Sequence, residues 1–188
     1  MPIPVVIALV VASGFLGSHI GVGVRASFVS SSTSTTGSLT FARLTGSFAA
    51  GTDDLGATGG VGGSTYVMTV TALALGASTH RFTTLTNTGS VTAAFTGTIT
   101  PTGASGTMNV AVDSCSQAWA SGLCGGSTTS LRSATALSGA PSVTYGSLAV
   151  NAVKFLRYTF TSTSTLASAV ATAAAVPTGT GTGDRTAG

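Results

Sequence analysis

The sequence has no glutamate and one lysine, Lys154, and its 188 residues hold only four acidic and seven basic side chains. That charged share of 6% compares with about a quarter in ordinary soluble domains. The acids are Asp53, Asp54, Asp113 and Asp184, and the bases Arg25, Arg43, Arg81, Arg132, Lys154, Arg157 and Arg185 are scattered singly. A nucleic-acid site needs bases clustered to neutralise successive phosphates, so no nucleic-acid partner is expected. The pI near 9.3 reflects a shortage of acids.

The same scarcity removes most catalytic chemistry. Zincins need two histidines one helical turn apart with a glutamate base, and the only histidines here are His19 and His80. Glycoside hydrolysis needs two opposed carboxylates; adjacent Asp53 and Asp54 in a glycine-rich loop read as a solvated turn or a weak calcium pair. A Ser-His-Asp set can be composed from His80, but with serine so abundant the combination has no specificity. His80, beside Arg81, reads as a surface or edge residue. Neither a catalytic residue, a metal site nor a cofactor is expected, and the chain is read as not an enzyme.

Cysteine is equally scarce. Cys115 and Cys124 bracket SQAWASGL and read as one disulfide across a small loop, with two unpaired buried thiols as the alternative. Trp119 inside that loop has two readings: exposed, it is a preorganised contact residue; folded inward, it plugs the end of a core. Tyr66, Tyr145 and Tyr158 are the other candidates for stacking on a sugar.

Only one apolar run approaches bilayer length, Val5 to Val24. It reads as a cleaved signal peptide with a processing site near Ala26 or Ser27, as a retained membrane or pilin-like helix, or as a buried segment. Any membrane contact is expected only through this segment, before processing.

Thr, Ser and Gly fill the rest, and their arrangement is periodic. Tyr66, Met68 and Val70 alternate with Val67, Thr69 and Thr71; Arg81, Thr83 and Leu85 alternate with His80, Phe82 and Thr84. Beyond Asn87-Thr88-Gly89, which supplies turn chemistry, Val91, Ala93, Phe95, Gly97 and Ile99 share a face up to a stop at Pro101. Met108, Val110 and Val112 form another alternation, and Leu156, Tyr158 and Phe160 the clearest late one. Leu39, Phe41 and Leu44 suggest an opening strand, while Leu166 to Val176 fits helix by alanine content or strand by position. Short strands broken by turn residues predict an all-β, two-sheet β-sandwich preceded by an apolar N-terminal helix. The expected organisation is 1–26 signal or membrane segment, 27–176 sandwich and 177–188 flexible tail.

Two passages resemble a known family. ASFVSSSTSTTGSLTFARL, from Ala26 to Leu44, is similar to the junction between SipW-dependent-type signal peptides and mature chains in the TasA and camelysin family, with Phe28, Gly37 and Leu44 at matching places. LALGASTHRFTTLTNTGS, Leu73 to Ser90, resembles a second stretch through Gly76, Asn87, Thr88 and Gly89; Leu75 departs from a common proline. The resemblance implies a secreted, jelly-roll-like domain at the cell surface or in the extracellular matrix, a homo-oligomer or fibre with contact to wall or matrix. In fibre-forming relatives one subunit's N-terminal strand completes the next subunit's sheet. Phe28 to Phe48 would be that donor, with Phe28, Leu39, Phe41 and Leu44 as its apolar residues. The other reading is an ordinary first strand of the same domain. The metalloprotease activity attributed to camelysin-type relatives does not carry over, because the residues for it are missing.

Overall fold

Strand follows strand wherever the alternation of period two continues, because inward Val, Phe, Tyr and Met can be buried while β-branched Thr fills the outer positions. The computed structural model describes residues 42–51, 61–105 and 107–179. The chain divides into two compact units, Met1–Leu39 and Thr40–Gly188, and the description concerns the second. Its strands are β1 Gly46–Ala50, β2 Val61–Gly62, β3 Thr65–Leu73, β4 Ser78–Asn87, β5 Ala93–Ser105, β6 Met108–Cys115, β7 Trp119–Ala120, β8 Leu123–Cys124, β9 Thr128–Ala136, β10 Ser142–Leu148, β11 Val153–Ser162, β12 Ala167–Ala174 and β13 Val176–Thr178.

Two sheets pack face to face. The first has the order β1-β4-β11-β6-β9, and the second β10-β5-β12-β3-β2 with β13 added against β5. The chain crosses between sheets from β1 to β2, β3 to β4, β4 to β5, β5 to β6, β9 to β10, β10 to β11 and β11 to β12. With the orders β4-β11-β6-β9 and β3-β12-β5-β10, this interleaving is the winding of a jelly roll. Between the sheets lie Tyr66, Met68, Val70, Leu85, Phe95, Ile99, Val110, Val112, Tyr145, Leu156, Tyr158 and Phe160, all at most 1% exposed.

The expected leading helix is corrected. Among the described residues the one helical element is the three-residue 3-10 turn Leu137–Gly139, and none is long and apolar enough to cross a membrane. The arrangement is all-β because the apolar positions repeat every second residue. The segment read as a helix, residues 1–26, lies outside the described residues. The expectation about partners is corrected with it, since its membrane contact depended on that helix.

Several local readings also change. Leu166 to Val176 resolves as strand: Ala167, Ala169, Ala171 and Ala173 point inward and are buried. Alanine's helix propensity loses because β12 is a central strand, hydrogen-bonded to β3 on one side and β5 on the other. Its small inner side chains leave room for tyrosines and phenylalanines from other strands, as close packing requires. Pro101 does not stop β5, which runs on to Ser105. By the two-residue period Pro101 faces the same side as Ile99, whose N–H bonds Pro141 O at 3.0 Å. On that side β10 reaches only to Thr98, so the missing N–H disturbs no ladder. Pro177 and Thr178, read as tail, pair with β5.

Leu39 and Phe41 lie outside the described residues, among which the first strand is β1. Leu44 is half-buried and packs on the core, and β1 starts at Gly46. A Cβ there would sit 2.4 Å from the Phe95 ring, so only glycine lets the chain pass this close. Phe48 is buried in its own domain, with β1 paired antiparallel to β4. Of the segment Phe28 to Phe48, the part Gly46–Phe48 is thus paired within its own domain, and residues 28–41 lie outside the described residues.

Candidate functional site

On the outer face of the first sheet, where among the described residues charge, aromatic rings and the disulfide meet, antiparallel register sets three side chains in one row: Phe82 on β4, Arg157 on β11 and Asp113 on β6. The next row holds Phe155 and Cys115. Arg157 Nη2 donates to Asp113 Oδ2 at 2.8 Å. Over this row folds the loop closed by Cys115–Cys124, whose Cα atoms are 5.7 Å apart, within ordinary disulfide geometry. Trp119, on the short β7–β8 hairpin inside the loop, lies 4.4 Å above the Arg157 guanidinium and 5.7 Å from the Phe82 ring.

Trp119 is 5% exposed. It does not stand out as a contact residue, nor does it plug an end of the sandwich; it covers the sheet's outer face, forming a second apolar cluster with Phe82 and Cys115 against Phe155. Tyr66, Tyr145 and Tyr158 are fully buried and cannot stack on a sugar. Burial pushes the Tyr145 hydroxyl up to about 12, partly offset by its bond to Tyr158, and raises Tyr158 well above the usual tyrosine value. Tyr145 Oη donates to Ala174 O at 3.2 Å and lies 3.1 Å from Tyr158 Oη, so the pair is satisfied as neutral phenols.

His80 is exposed beside this cluster, its Nδ1 3.1 Å from Thr159 Oγ1. Partial burial lowers its pKa, the Arg157 charge lowers it further, and Asp113 opposes both. Asp53, Asp54 and Phe28 lie outside the described residues, and no group of metal-ligating side chains occurs among the described ones. Neither models of known protein families, nor characterised proteins, nor solved structures give a match to this chain.

A second feature lies along one side of the sandwich, where the edges of β4 and β3 neighbour each other. β1 pairs with Thr83–Asn87 of β4, and β2 pairs with Thr65 and Tyr66 of β3. Phe48 N donates to Gly63 O at 2.8 Å, sealing that half. In the other half, Ser78–Phe82 and Val67–Leu73 have no strand beside them on that side among the described residues. Arg81 is what joins them: Nε donates to Thr69 O at 3.0 Å, Nη2 to the same oxygen, and Nη1 to His80 O at 2.9 Å. The sequence carried a signal for this residue, a lone arginine on the face it shares with Leu85.

Asn87 does what its turn chemistry predicts. Its side chain accepts from Gly89 N at 2.9 Å and donates to Val91 O and Leu148 O at 2.9 and 2.8 Å, fixing the β4–β5 turn while fully buried.

Proposed function

We propose that this disulfide-stapled all-β domain is a secreted structural protein of the cell surface or extracellular matrix, whose task is assembly with copies of itself by β-strand addition. We place it with TasA-like and camelysin-like proteins on the two passages that resemble them. The observation that carries the reading is the half-paired edge of β4: five of its ten residues have β1 beside them, and Ser78–Arg81 have no strand on that side among the described residues, the kind of edge an added strand engages. An exterior with few charges suits contact, since charge is the usual means of keeping edges apart. The wall-carbohydrate reading has less support, because no Phe, Tyr or Trp side chain is exposed among the described residues.

The test is N-terminal sequencing of protein recovered from the cell surface, with electron microscopy of the same fraction. A mature end near Ala26 or Ser27 together with filaments is the expected result. A monodisperse monomer under all conditions would refute the assembly reading.

A further inference from the structure

We propose that Leu123 is an apolar knob which seats in a cleft at the far end of a second copy's sandwich, so that copies join head to tail. This contact uses no strand edge and is independent of the strand addition proposed above.

The knob follows from the two short strands of the stapled hairpin. Trp119 pairs with Cys124 and Ala120 with Leu123, and successive residues of a strand point to opposite faces. Trp119 and Cys124 face the sheet, so Ala120 and Leu123 face away from it. The turn between them is Ser121-Gly122, with φ of 50° and 75°, the left-handed pair that a tight hairpin turn requires. Covering the sheet accounts for the inner side of this hairpin and leaves its outer side without a task inside the molecule. Yet that side carries a leucine 73% exposed, the most exposed large apolar side chain among the described residues. Held by the turn before it and the disulfide after it, Leu123 sits on backbone that loses little freedom when it binds.

The cleft lies between the sheets, where β5 passes to β6 and β11 to β12. Its volume is about 110 Å³, with Met108, Leu137 and Ala169 beneath it. A void on the order of 150 Å³, such as remains when a core leucine is cut back to alanine, stays dry and takes up a small hydrocarbon. The mouth carries hydroxyls, but they are engaged within the protein. Thr163 Oγ1 lies 2.7 Å from Thr107 Oγ1, and Ser168 Oγ accepts from Ala72 N at 2.9 Å. No charged residue lines the cleft, so the guest it fits is apolar and about the size of one leucine side chain. Apolar ground continues around the mouth. Leu166, in the turn between Thr163 and Ser168, is exposed with φ at 54°, a conformation uncommon for so bulky a residue. Leu75 is exposed in the neighbouring turn, which Gly76 N joins to Ser162 O at 3.0 Å.

The occupant is a second copy, because knob and cleft cannot meet within one molecule. Met108 borders the cleft and Cys115 closes the hairpin, at opposite ends of the eight-residue β6, about 24 Å apart at 3.4 Å per residue. A pair joined this way leaves one knob and one cleft unused, so the contact is heterologous and repeats. The loop SQAWASGL carries no charge either, so the contact strips no charge of water and sets none against its like. One hairpin tip covers well below the roughly 800 Å² per partner of a stable complex. Association is therefore weak and rises with concentration.

The test is sedimentation velocity on the full mature chain across a concentration series. Wild type is expected to pass from monomer to species larger than dimers. Leu123→Ser should raise the concentration needed for association about ten- to a hundredfold, the scale of burying one leucine, and Leu123→Ala should fall between. Ser138→Trp, at the mouth of the cleft, should block the other side to the same degree. Both positions are exposed, and an unchanged urea midpoint verifies folding; if Ser138→Trp does not fold, Leu166→Ser on the same rim takes its place. Mixed in equal amounts, Leu123→Ser and Ser138→Trp keep one working cleft and one working knob between them and should form one-to-one pairs that grow no further. Association of Leu123→Ser at wild-type concentrations overturns the knob and leaves strand addition standing. A wild type that stops at dimers, or a mixture that stays monomeric, overturns the head-to-tail contact. A wild type monomeric at every concentration overturns it together with the assembly reading.

Discussion

The outer faces of the two sheets are built differently, although both belong to β-strands of the same sandwich. The second sheet shows threonine: Thr96, Thr98, Thr100 and Thr102 alternate along β5, all exposed, with Ser142 and Thr144 beside them on β10. A hydroxyl and a methyl on each residue suit water and the pleated surface equally, so nothing has to cover them. The first sheet carries Phe82, Phe155 and the Arg157–Asp113 pair in the same kind of position, and there the chain adds a hairpin, a disulfide and Trp119. The stapled loop is the cover that an apolar and charged outer face requires. It need not be a binding device.

The sharpest way to break this comparison is Trp119→Ala. Deleting a buried tryptophan costs about 3 kcal/mol, and the stacking on Arg157 adds a fraction more. Thr100→Ala on the bare face should stay within about 0.5 kcal/mol. Urea titration of both variants measures the difference. Equal costs would mean that the loop covers nothing of consequence.

Next in size is the disulfide. Replacing Cys115 and Cys124 together by serine should cost about 2 to 3 kcal/mol, the scale for a short closed loop. A red shift of the single tryptophan's fluorescence should accompany it as the loop lifts from Phe82 and Phe155. Loss of stability without that shift would place the effect in the unfolded chain alone.

A smaller effect is expected for Asp113→Asn. The ion pair is partly exposed, 24% for Arg157 and 17% for Asp113, so solvent screens it and about 1 kcal/mol is expected. The loss should shrink in high salt, which a titration at two ionic strengths reads directly.

How far these features were legible in the sequence depends on whether they are local. The strands with Tyr66, Met68 and Val70 or Leu156, Tyr158 and Phe160 could be read because their burial period is written in consecutive residues. The Cys115–Cys124 bond and the Asn87 turn are likewise short-range. Trp119 could be placed in its loop but not over a face, since which sheet the loop folds onto depends on the β11–β6 pairing more than 30 residues away. Arg81 was visible as an odd charge on an inner face, yet its bridge to Thr69 exists only because β3 and β4 belong to different sheets and meet at their edges. Leu166 to Val176 was ambiguous because alanine favours helix locally, and only its two strand neighbours decide for strand.

The finest probe of the covered face is the pH response of His80. Its folded pKa lies below the usual histidine value because burial and the Arg157 charge disfavour the imidazolium, with Asp113 opposing. The unfolded chain therefore binds the proton first as the pH falls. Stability from this group is present above the unfolded pKa, near 6.5, and is lost as the pH drops through the lower folded value. His80→Gln should flatten that part of the stability profile. Asp113→Asn removes the one raising influence, so the His80 pKa should fall further and the sensitive window should extend to more acidic pH, as followed by the imidazole resonance in an NMR titration. A His80 pKa unchanged in Asp113→Asn would show that the imidazole does not sense the pair, and would separate His80 from the cluster that Trp119 covers.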